Sequence, residues 1–575
     1  MKNIILKTAV VGLLALGFTS CADDLNIHSI DPKSSPSYDV KQLLAKQYAT
    51  LGVTGQTGPA GKGDLSMDEG ESGFFRTVFN LEELPTDECA WAWTDNIDIP
   101  NILGLSWTSS SQRAAWCWSR LAYDVRLYNQ FIAECGEQVG PQVTAEVRFL
   151  RALHYYYFLD LFHKAPFKLT NDMNLPGQKT GIELYKWIDQ ELTNLEDTLA
   201  DMGTYDNASG FGRADKGAAY ALHAQLCLNA AVYTDGQITT EAWKKAKHYC
   251  DLLIDIDGPY KLSDKAVTDP YGNEWSGYEQ LFMGDNDENT NAMKEIIFPI
   301  RQDGASTQEY AGSTCLIGGS SGAGMPYKNT NNYWTCYFAR VNVLQKFFAD
   351  PEKDMPRLTE DESKEYKDAH STEAEVISID NKLGISTKDV QKKAGDKRAL
   401  FYMGIGGADG GKYRTLTPGK QISGFLNGAS IVKWTNYRSN GGARHNDTFD
   451  DTDIPLFRLG TIYMTRAEVE YRLGDADAAA KDINTLRTRA GNTNLLSAAS
   501  IDDQTLIDEW SRETYFEGRR RSDLVRFGLF TGSKYLWSFK GGVPNGTGVD
   551  SRYNIYPVPA IDVSGNPAIT QNPGY

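Results

Sequence analysis

The run Ala145-Glu-Val-Arg-Phe-Leu-Arg-Ala-Leu-His-Tyr-Tyr-Tyr-Phe-Leu-Asp-Leu-Phe162 decides the fold class. Val147, Leu150, Leu153, Tyr157 and Leu161 recur at steps of three and four residues. That spacing lines one face of an α-helix, whereas a strand needs a period of two. The same pattern extends in both directions along the chain. Residues 214–233 carry Ala218, Ala221, Ala224, Leu228 and Ala231, and residues 243–254 follow as a second helix spaced for antiparallel pairing. Residues 454–473 and 476–490 repeat that design, with Gly474-Asp475 as the break between them.

Small residues along paired helices resemble tetratricopeptide units, although no clean 34-residue register emerges. Between the helical blocks lie long stretches rich in Gly, Asn, Asp and Trp, at 52–120, 257–335 and 400–450. Long loops in a compact domain usually carry function. The expected fold is therefore mainly α: a tetratricopeptide-like helical-pair scaffold supporting a large, irregular, loop-built ligand-binding face. The highly charged segment 353–389 reads as a mobile or peripheral insertion.

The chain has 575 residues, 41% of them hydrophobic, and a mean hydropathy of -0.44, ample for a large core. Twelve tryptophans and 30 tyrosines suit carbohydrate or aromatic ligands. A net charge of -17 argues against nucleic acid and anionic headgroups, both of which need a positive field. Lys2 and Lys7, an apolar run at 9–18 and Thr19-Ser20-Cys21 form a targeting segment too short to span a bilayer as a helix. It resembles a bacterial lipoprotein signal, and Asp23-Asp24 resembles the surface-export signal of Bacteroidetes lipoproteins. The expected organisation is a signal peptide at 1–20, a tether at 21–38 lipidated on Cys21, and one domain at 39–575. Seven wide-spaced cysteines remain, with no Cys-x-x-Cys, which argues against a disulfide framework or a zinc site.

Trp91-Ala92-Trp93 lies among acids, amides and turn residues, between Pro85 and Pro100. In an extended segment the two indoles face the same way. They then form either a surface for stacking a flat, amphipathic ligand or a pair folded back onto the body. Gly318-x-Ser320-x-Gly322 formally matches a nucleophile elbow with 313–317 as its strand, but Gly324 and Pro326 deny it the following helix. The seven histidines are scattered, and with 75 acids in the chain no glycosidase carboxylate pair is legible. Asp285-Asn-Asp287-Glu288 and Asp450-Asp451-Thr-Asp453 offer hard oxygens suited to calcium, or else form solvated acidic loops.

Three blocks resemble the SusD/RagB family of nutrient-binding lipoproteins. They are the run ending in Phe162 with Ala165-Pro-Phe167, the run Trp510-Ser-Arg-Glu-Thr-Tyr-Phe-Glu-Gly-Arg-Arg-Arg-Ser-Asp-Leu-Val-Arg-Phe-Gly528, and the ending Tyr556-Pro-Val-Pro559 through Gln571-Asn-Pro-Gly-Tyr575. His163 departs from the glycine frequent there. The charges in these blocks, Arg148, Arg151, Glu513, Glu517, Arg519 and Asp523, read as inter-helix networks. Glu69-Gly-Glu-Ser-Gly-Phe-Phe-Arg76, 83–93, 98–100, Pro299-Ile-Arg-Gln-Asp-Gly304 and Lys433-Trp-Thr-Asn-Tyr-Arg438 resemble the starch-binding branch of that family more finely.

The resemblance implies an arc of rings holding helical starch, at Trp93, Tyr310 and Trp334 with Trp91 beside them, and Arg76 and Asn96 as hydrogen-bond partners. It also implies a structural calcium near Asp287, Asp451 and Asp453. Starch, amylose and maltooligosaccharides are the implied ligands, passed without catalysis to a SusC-like TonB-dependent transporter at the outer-membrane surface. A binder of another glycan and a glycoside hydrolase acting on α-glucan are the alternatives. Trp107, Trp116, Trp118 and Trp434 are expected in the core or in loop packing.

Overall fold

The computed structural model describes residues 39–55, 63–206, 210–366, 372–407, 412–416, 421–424 and 427–575. The signal segment, Cys21 and the tether lie outside the described residues. The chain divides into a short N-terminal unit, Met1–Lys46, and a body, Gln47–Tyr575.

The body begins its core with helix α1 (Phe74–Glu82) and strand β1 (Cys89–Trp91). Helix α2 (Gln112–Phe162) follows, broken at Gly140 (φ 80°, ψ 174°) before Pro141. Glycine takes that positive φ without a Cβ clash, and proline cannot donate to the preceding turn, so the two residues together make the kink. The second half of α2 contains the run at 145–162, and every residue from Phe149 to Phe162 is buried. The apolar stripe was thus the visible part of a helix enclosed on all sides. The tyrosines off that stripe stay satisfied, since Tyr155 donates to Lys168 O at 2.8 Å and Tyr156 accepts from Gln225 at 2.8 Å.

Helix α3 (Gly181–Leu195) packs on α2, α4 (Lys216–Leu228) packs on α3 and α2, and α5 (Thr240–Leu253) pairs with α4. Ala218, Ala221 and Ala224 are fully buried on α4, where small side chains let neighbouring helices approach closely. Strand β2 (Ile296–Ile300), helix α6 (Ser313–Ser320) and strand β3 (Tyr337–Ala339) come from the irregular middle of the chain. Strand β4 (Ile454–Arg458) then leads into α7 (Leu459–Arg472) and α8 (Ala476–Arg489), which form the second pair, and α7 also lies against α5. Helices α9 (Asp503–Thr514) and α10 (Arg520–Arg526) close the scaffold. Among the described residues the strands form two-stranded ladders, including β1 with β3 and β4 with β2.

One expectation needs correcting. Residues 74–82 and 112–120 are helical, not irregular. Helix α1 is buried on every face, so it shows no amphipathic period, and Ser111, which looks like part of a serine loop, is the cap that accepts from Ala114 N. Among the described residues, the charged segment after Asp350 builds four short helices around a small core of Leu358, Val376, Ile385 and Ile405. Trp107, Trp118 and Trp434 are buried, Trp116 is half-buried beside Arg113, and all seven described cysteines are buried and free.

Of the charges expected in inter-helix networks, Arg148, Arg151, Glu513 and Glu517 pair with other elements, whereas Arg519 pairs locally with Asp523 at 3.0 Å. Arg148 and Arg151 meet Glu191 at 2.7 and 3.2 Å. Buried Glu513 receives Arg458 at 2.7 Å and Arg398 at 3.1 Å, and also Arg489. Burial alone would raise the Glu513 carboxyl, but these three guanidinium groups pull it well below the usual range. The neighbouring Glu509 is held at about 2, where Arg398, Arg512 and Arg487 outweigh the same desolvation. A second clamp fixes the segment before β1. Arg520 grips Asp87 at 2.7 and 2.9 Å, Arg521 grips Glu82 at 2.7 Å, and Glu83 accepts from Phe516 N and Gly518 N at 3.1 and 3.2 Å.

Candidate functional site

Strand β1 pairs with β3 so that Trp91 stands opposite Tyr337. Trp91 therefore points into the core, 1% exposed, with its ring edge-on to Tyr337 at 4.9 Å. The Arg76 and Arg113 guanidinium carbons lie 5.5 and 5.6 Å from its centroid. The strand ends there. Ala92 N still donates to Cys336 O at 2.7 Å, but Thr94 N folds back to Ala92 O at 3.0 Å and Asn96 N to Trp93 O at 3.2 Å. A turn cancels the two-residue alternation, so the expectation that both indoles face the same way is corrected. Trp93 is half-exposed on the turn, 6.3 Å from Trp91 and inclined at 63°. Arg113 secures that turn by donating to Ile97 O at 2.9 Å.

Tyr310 and Trp334 come together from separate loops, their centroids 5.7 Å apart and their planes at 56°. Both are half-exposed. Phe449 meets Tyr310 at 5.2 Å and 50°, forming the base of the cluster. Sequence reasoning missed Phe449, although a lone aromatic within the acid-rich run at 446–453 was the available signal. Two glycines make room for these rings. A Cβ on Gly70 would stand 3.1 Å from the Tyr310 Cβ, and one on Gly318 would stand 2.8 Å from the Asn332 Cβ and 3.3 Å from the Trp334 Cδ2. Gly318 O also accepts from Trp334 N at 2.9 Å. The glycine stretch at 318–324 thus seats a tryptophan. Its Ser320 closes a helix, not a strand, and is buried with its hydroxyl donated to Leu316 O at 2.7 Å.

Arg76 sits beneath this face. It is 7% exposed, and its guanidinium donates to Gly70 O at 2.6 Å, Tyr310 O at 3.1 Å and Glu71 at 3.2 Å. Burial would raise the Glu71 carboxyl, yet Arg76 and Arg113 draw it below the ordinary value, so the acid stays charged under the rings. Arg76 therefore positions Tyr310 instead of reaching outward, and it touches Trp91 on its other side. Contacts run unbroken from Trp93 through Trp91, Arg76 and Tyr310 to Trp334. Half-buried Asn96 lies on the same turn as Trp93, and its side-chain amide has no hydrogen-bond partner among the described residues.

Such a face suits a pyranose. Ring faces take the C–H surface of a sugar through dispersion and apolar contact, and an amide serves the hydroxyl rim. The Tyr310 and Trp334 planes are inclined at 56°, so the two rings cannot both lie flat on a straight ribbon.

The acidic loops behave differently from one another. Asp285 is spent on the Ser439 N and Oγ at 2.8 and 2.7 Å. Asp287 and Asp453 share Arg301, at 2.7 and 2.9 Å, and Asp453 also accepts from Gln302 N at 2.6 Å. Asp451 Oδ2 accepts from His445 N at 3.1 Å, whereas its buried Oδ1 has no hydrogen-bond partner among the described residues. Desolvation raises all three carboxyls, most strongly Asp453, as expected where anionic oxygens outnumber donors. Carboxylate oxygens are the hard donors that calcium accepts, but Arg301 holds Asp287 and Asp453, and among the described residues the three carboxylates do not converge within 4.8 Å of one another.

Residues 294–575 match the model of the SusD family. Across 573 residues, 99% of this chain and 98% of the other, the protein is 49% identical to the starch-binding protein SusD of Bacteroides thetaiotaomicron. Among solved structures, surface glycan-binding protein A from B. thetaiotaomicron in complex with laminarihexaose superposes with a TM-score of 0.61 at 16% identity, covering 93% of this chain and 98% of that one. Surface glycan-binding protein A from Bacteroides fluxus gives 0.62 at 17% identity, over 94% and 100%. The chain belongs to the SusD family.

Proposed function

We propose that this member of the SusD family is a non-catalytic binder of starch and maltooligosaccharides. The observation that carries this reading is the inclined pair Tyr310–Trp334 next to the Trp93 turn, two separate loops brought to one partly exposed aromatic face. The 49% identity to a protein named for starch binding supports the choice of α-glucan. An α-1,4-linked chain coils, and rings inclined to one another follow a coil. Trp93, Tyr310 and Trp334 stack on the sugar, Asn96 reaches its hydroxyls, and Trp91 and Arg76 hold the rings in place from below. Aromatic side chains lose little freedom on binding, which keeps the entropic cost low.

The same reading places the protein on the cell surface. Acyl chains on Cys21 anchor it to the outer membrane, each buried CH₂ contributing about 0.8 kcal/mol. From there it delivers oligosaccharides to a SusC-like TonB-dependent transporter. The lipoprotein-like start of the sequence and the family membership support this arrangement. Incubating the purified protein with amylose tests the absence of chemistry: the protein co-sediments with the polymer and reducing ends stay at the level of the blank. Sustained release of reducing sugar would sink the proposal in favour of a hydrolase.

A calcium ion held by Asp287, Asp451 and Asp453 belongs to the same proposal, as a staple between two loops far apart in sequence. Asp451 Oδ1, buried and without a hydrogen-bond partner among the described residues, supports it. Calcium at a hundred times its dissociation constant then adds about 2.7 kcal/mol of stability, an effect that Asp451→Asn abolishes. A melting temperature indifferent to both calcium and EDTA argues the site away.

A further inference from the structure

We propose that Asp189, His223 and Cys227 form a binding site for a borderline-soft divalent cation, Zn²⁺ by preference, within the helical scaffold. His223 and Cys227 are four residues apart on α4 and so share a face, and Asp189 lies on the adjoining α3. One ligand atom from each lies within 4.8 Å of the other two, an arrangement unique to this trio among the described residues. The His223 Nε2 is 2.7 Å from Asp189 Oδ1. Nitrogen, thiolate sulfur and carboxylate oxygen are the donors that zinc accepts together, and three protein ligands leave the fourth position to water.

The surroundings are those of a ligand histidine. Its other nitrogen, Nδ1, faces Glu196 Oε1 at 3.6 Å, and Tyr249 stacks on the imidazole at 4.3 Å while hydrogen-bonding to the same Glu196. At 3.6 Å this is not a hydrogen bond, but a carboxylate on that side of the imidazole favours the proton on Nδ1, the tautomer that frees Nε2 for a metal. Tyr185 OH stands 3.6 Å from the Cys227 sulfur. His223 and Cys227 are fully buried, while the Asp189 side chain is 29% exposed and gives the ion a way in.

Lys245 rests its Nζ 2.6 Å from Asp189 Oδ1, and a third of its side chain is in solvent, so it yields that oxygen by swinging outward. Charge also balances: Zn²⁺ and Lys245 together offset Asp189, Glu196 and a thiolate. Burial pushes the Cys227 thiol up to about 12, so the metal itself brings about its ionisation. On binding, the Sγ–H proton leaves to solvent, a metal–sulfur bond forms, and the imidazole keeps one proton, at Nδ1 toward Glu196. No redox change is involved.

Cobalt(II) alone, added to the full-length protein, is the probe. One Co²⁺ per chain is expected to give a near-ultraviolet thiolate charge-transfer band and intense tetrahedral d–d bands, both erased by excess Zn²⁺. Cobalt captured by the acidic loops has only oxygen ligands and gives no thiolate band. Cys227→Ser should remove the near-ultraviolet band. Glu196→Gln, whose side chain is partly exposed, should keep the band but weaken affinity about 10- to 100-fold. No thiolate band in the parent protein, a band that survives Cys227→Ser, or unchanged affinity in Glu196→Gln each overturns the assignment.

Discussion

Replacing Glu513 with alanine is expected to lower the unfolding free energy by about 3–5 kcal/mol, the cost of leaving buried charges without their partner. Glu513 is wholly buried at the junction of Arg458, Arg489 and Arg398. These guanidinium groups keep Glu295, Glu517 and Glu509 as other partners, at 2.9, 2.7 and 2.9 Å. With Asp396 on Arg398, Arg487 and Arg512 on Glu509, and Lys433 on Glu517, the cluster sets six cations against five carboxylates, and removing Glu513 leaves six against four in a buried region. Urea unfolding reads the effect as a lower midpoint at unchanged slope. A loss below about 1 kcal/mol, the range of an exposed pair, contradicts the account.

That network matters for the binding face because of what lies next to it in the chain. Glu513 precedes Phe516 and Gly518, whose N–H groups hold Glu83, and Arg520 and Arg521, which hold Asp87 and Glu82. The residues so held lead directly into β1 and the Trp93 turn. The block 510–528, which in the sequence reads as helix with paired charges, also orients the far loop that presents the aromatic ring.

Much of the helical scaffold was legible because burial on one face leaves a period, as in 145–162, and because small residues mark close helix contacts, as in 216–228. What stayed hidden had no period to show. Helix α1 is enclosed all round and carries Arg76, Asn80 and Glu82 in the interior, so it reads as loop. The face itself depends on pairings across hundreds of residues: no local pattern announces that β1 meets β3, and that pairing alone sends Trp91 inward while the turn after it leaves Trp93 out. Trp93, Tyr310 and Trp334 were named through family resemblance. Phe449 and the supporting role of Arg76 emerged only from the geometry.

Removing either Trp93 or Trp334 is expected to weaken maltoheptaose binding by about 1–3 kcal/mol, the range found for stacked rings, or about 5- to 150-fold in Kd. Trp334 shares its inclined contact with Tyr310, so its loss also frees that ring and should fall toward the upper end. Trp93 has the buried Trp91 behind it, which leaves some apolar surface in place when the outer indole is removed. Neither substitution should greatly disturb folding, because both side chains are half-exposed. Trp91→Ala is the contrast: it opens a cavity in the core and is expected to cost stability first.

Calorimetric titration of the parent protein, Trp93→Ala and Trp334→Ala with maltoheptaose, with laminarihexaose as the β-linked comparison, tests the central claim most directly. The account predicts that the parent binds maltoheptaose in preference to laminarihexaose and that each variant loses most of that affinity while keeping its fold. Undiminished maltoheptaose binding in both variants, or a parent protein that takes only the β-linked glucan, would contradict it.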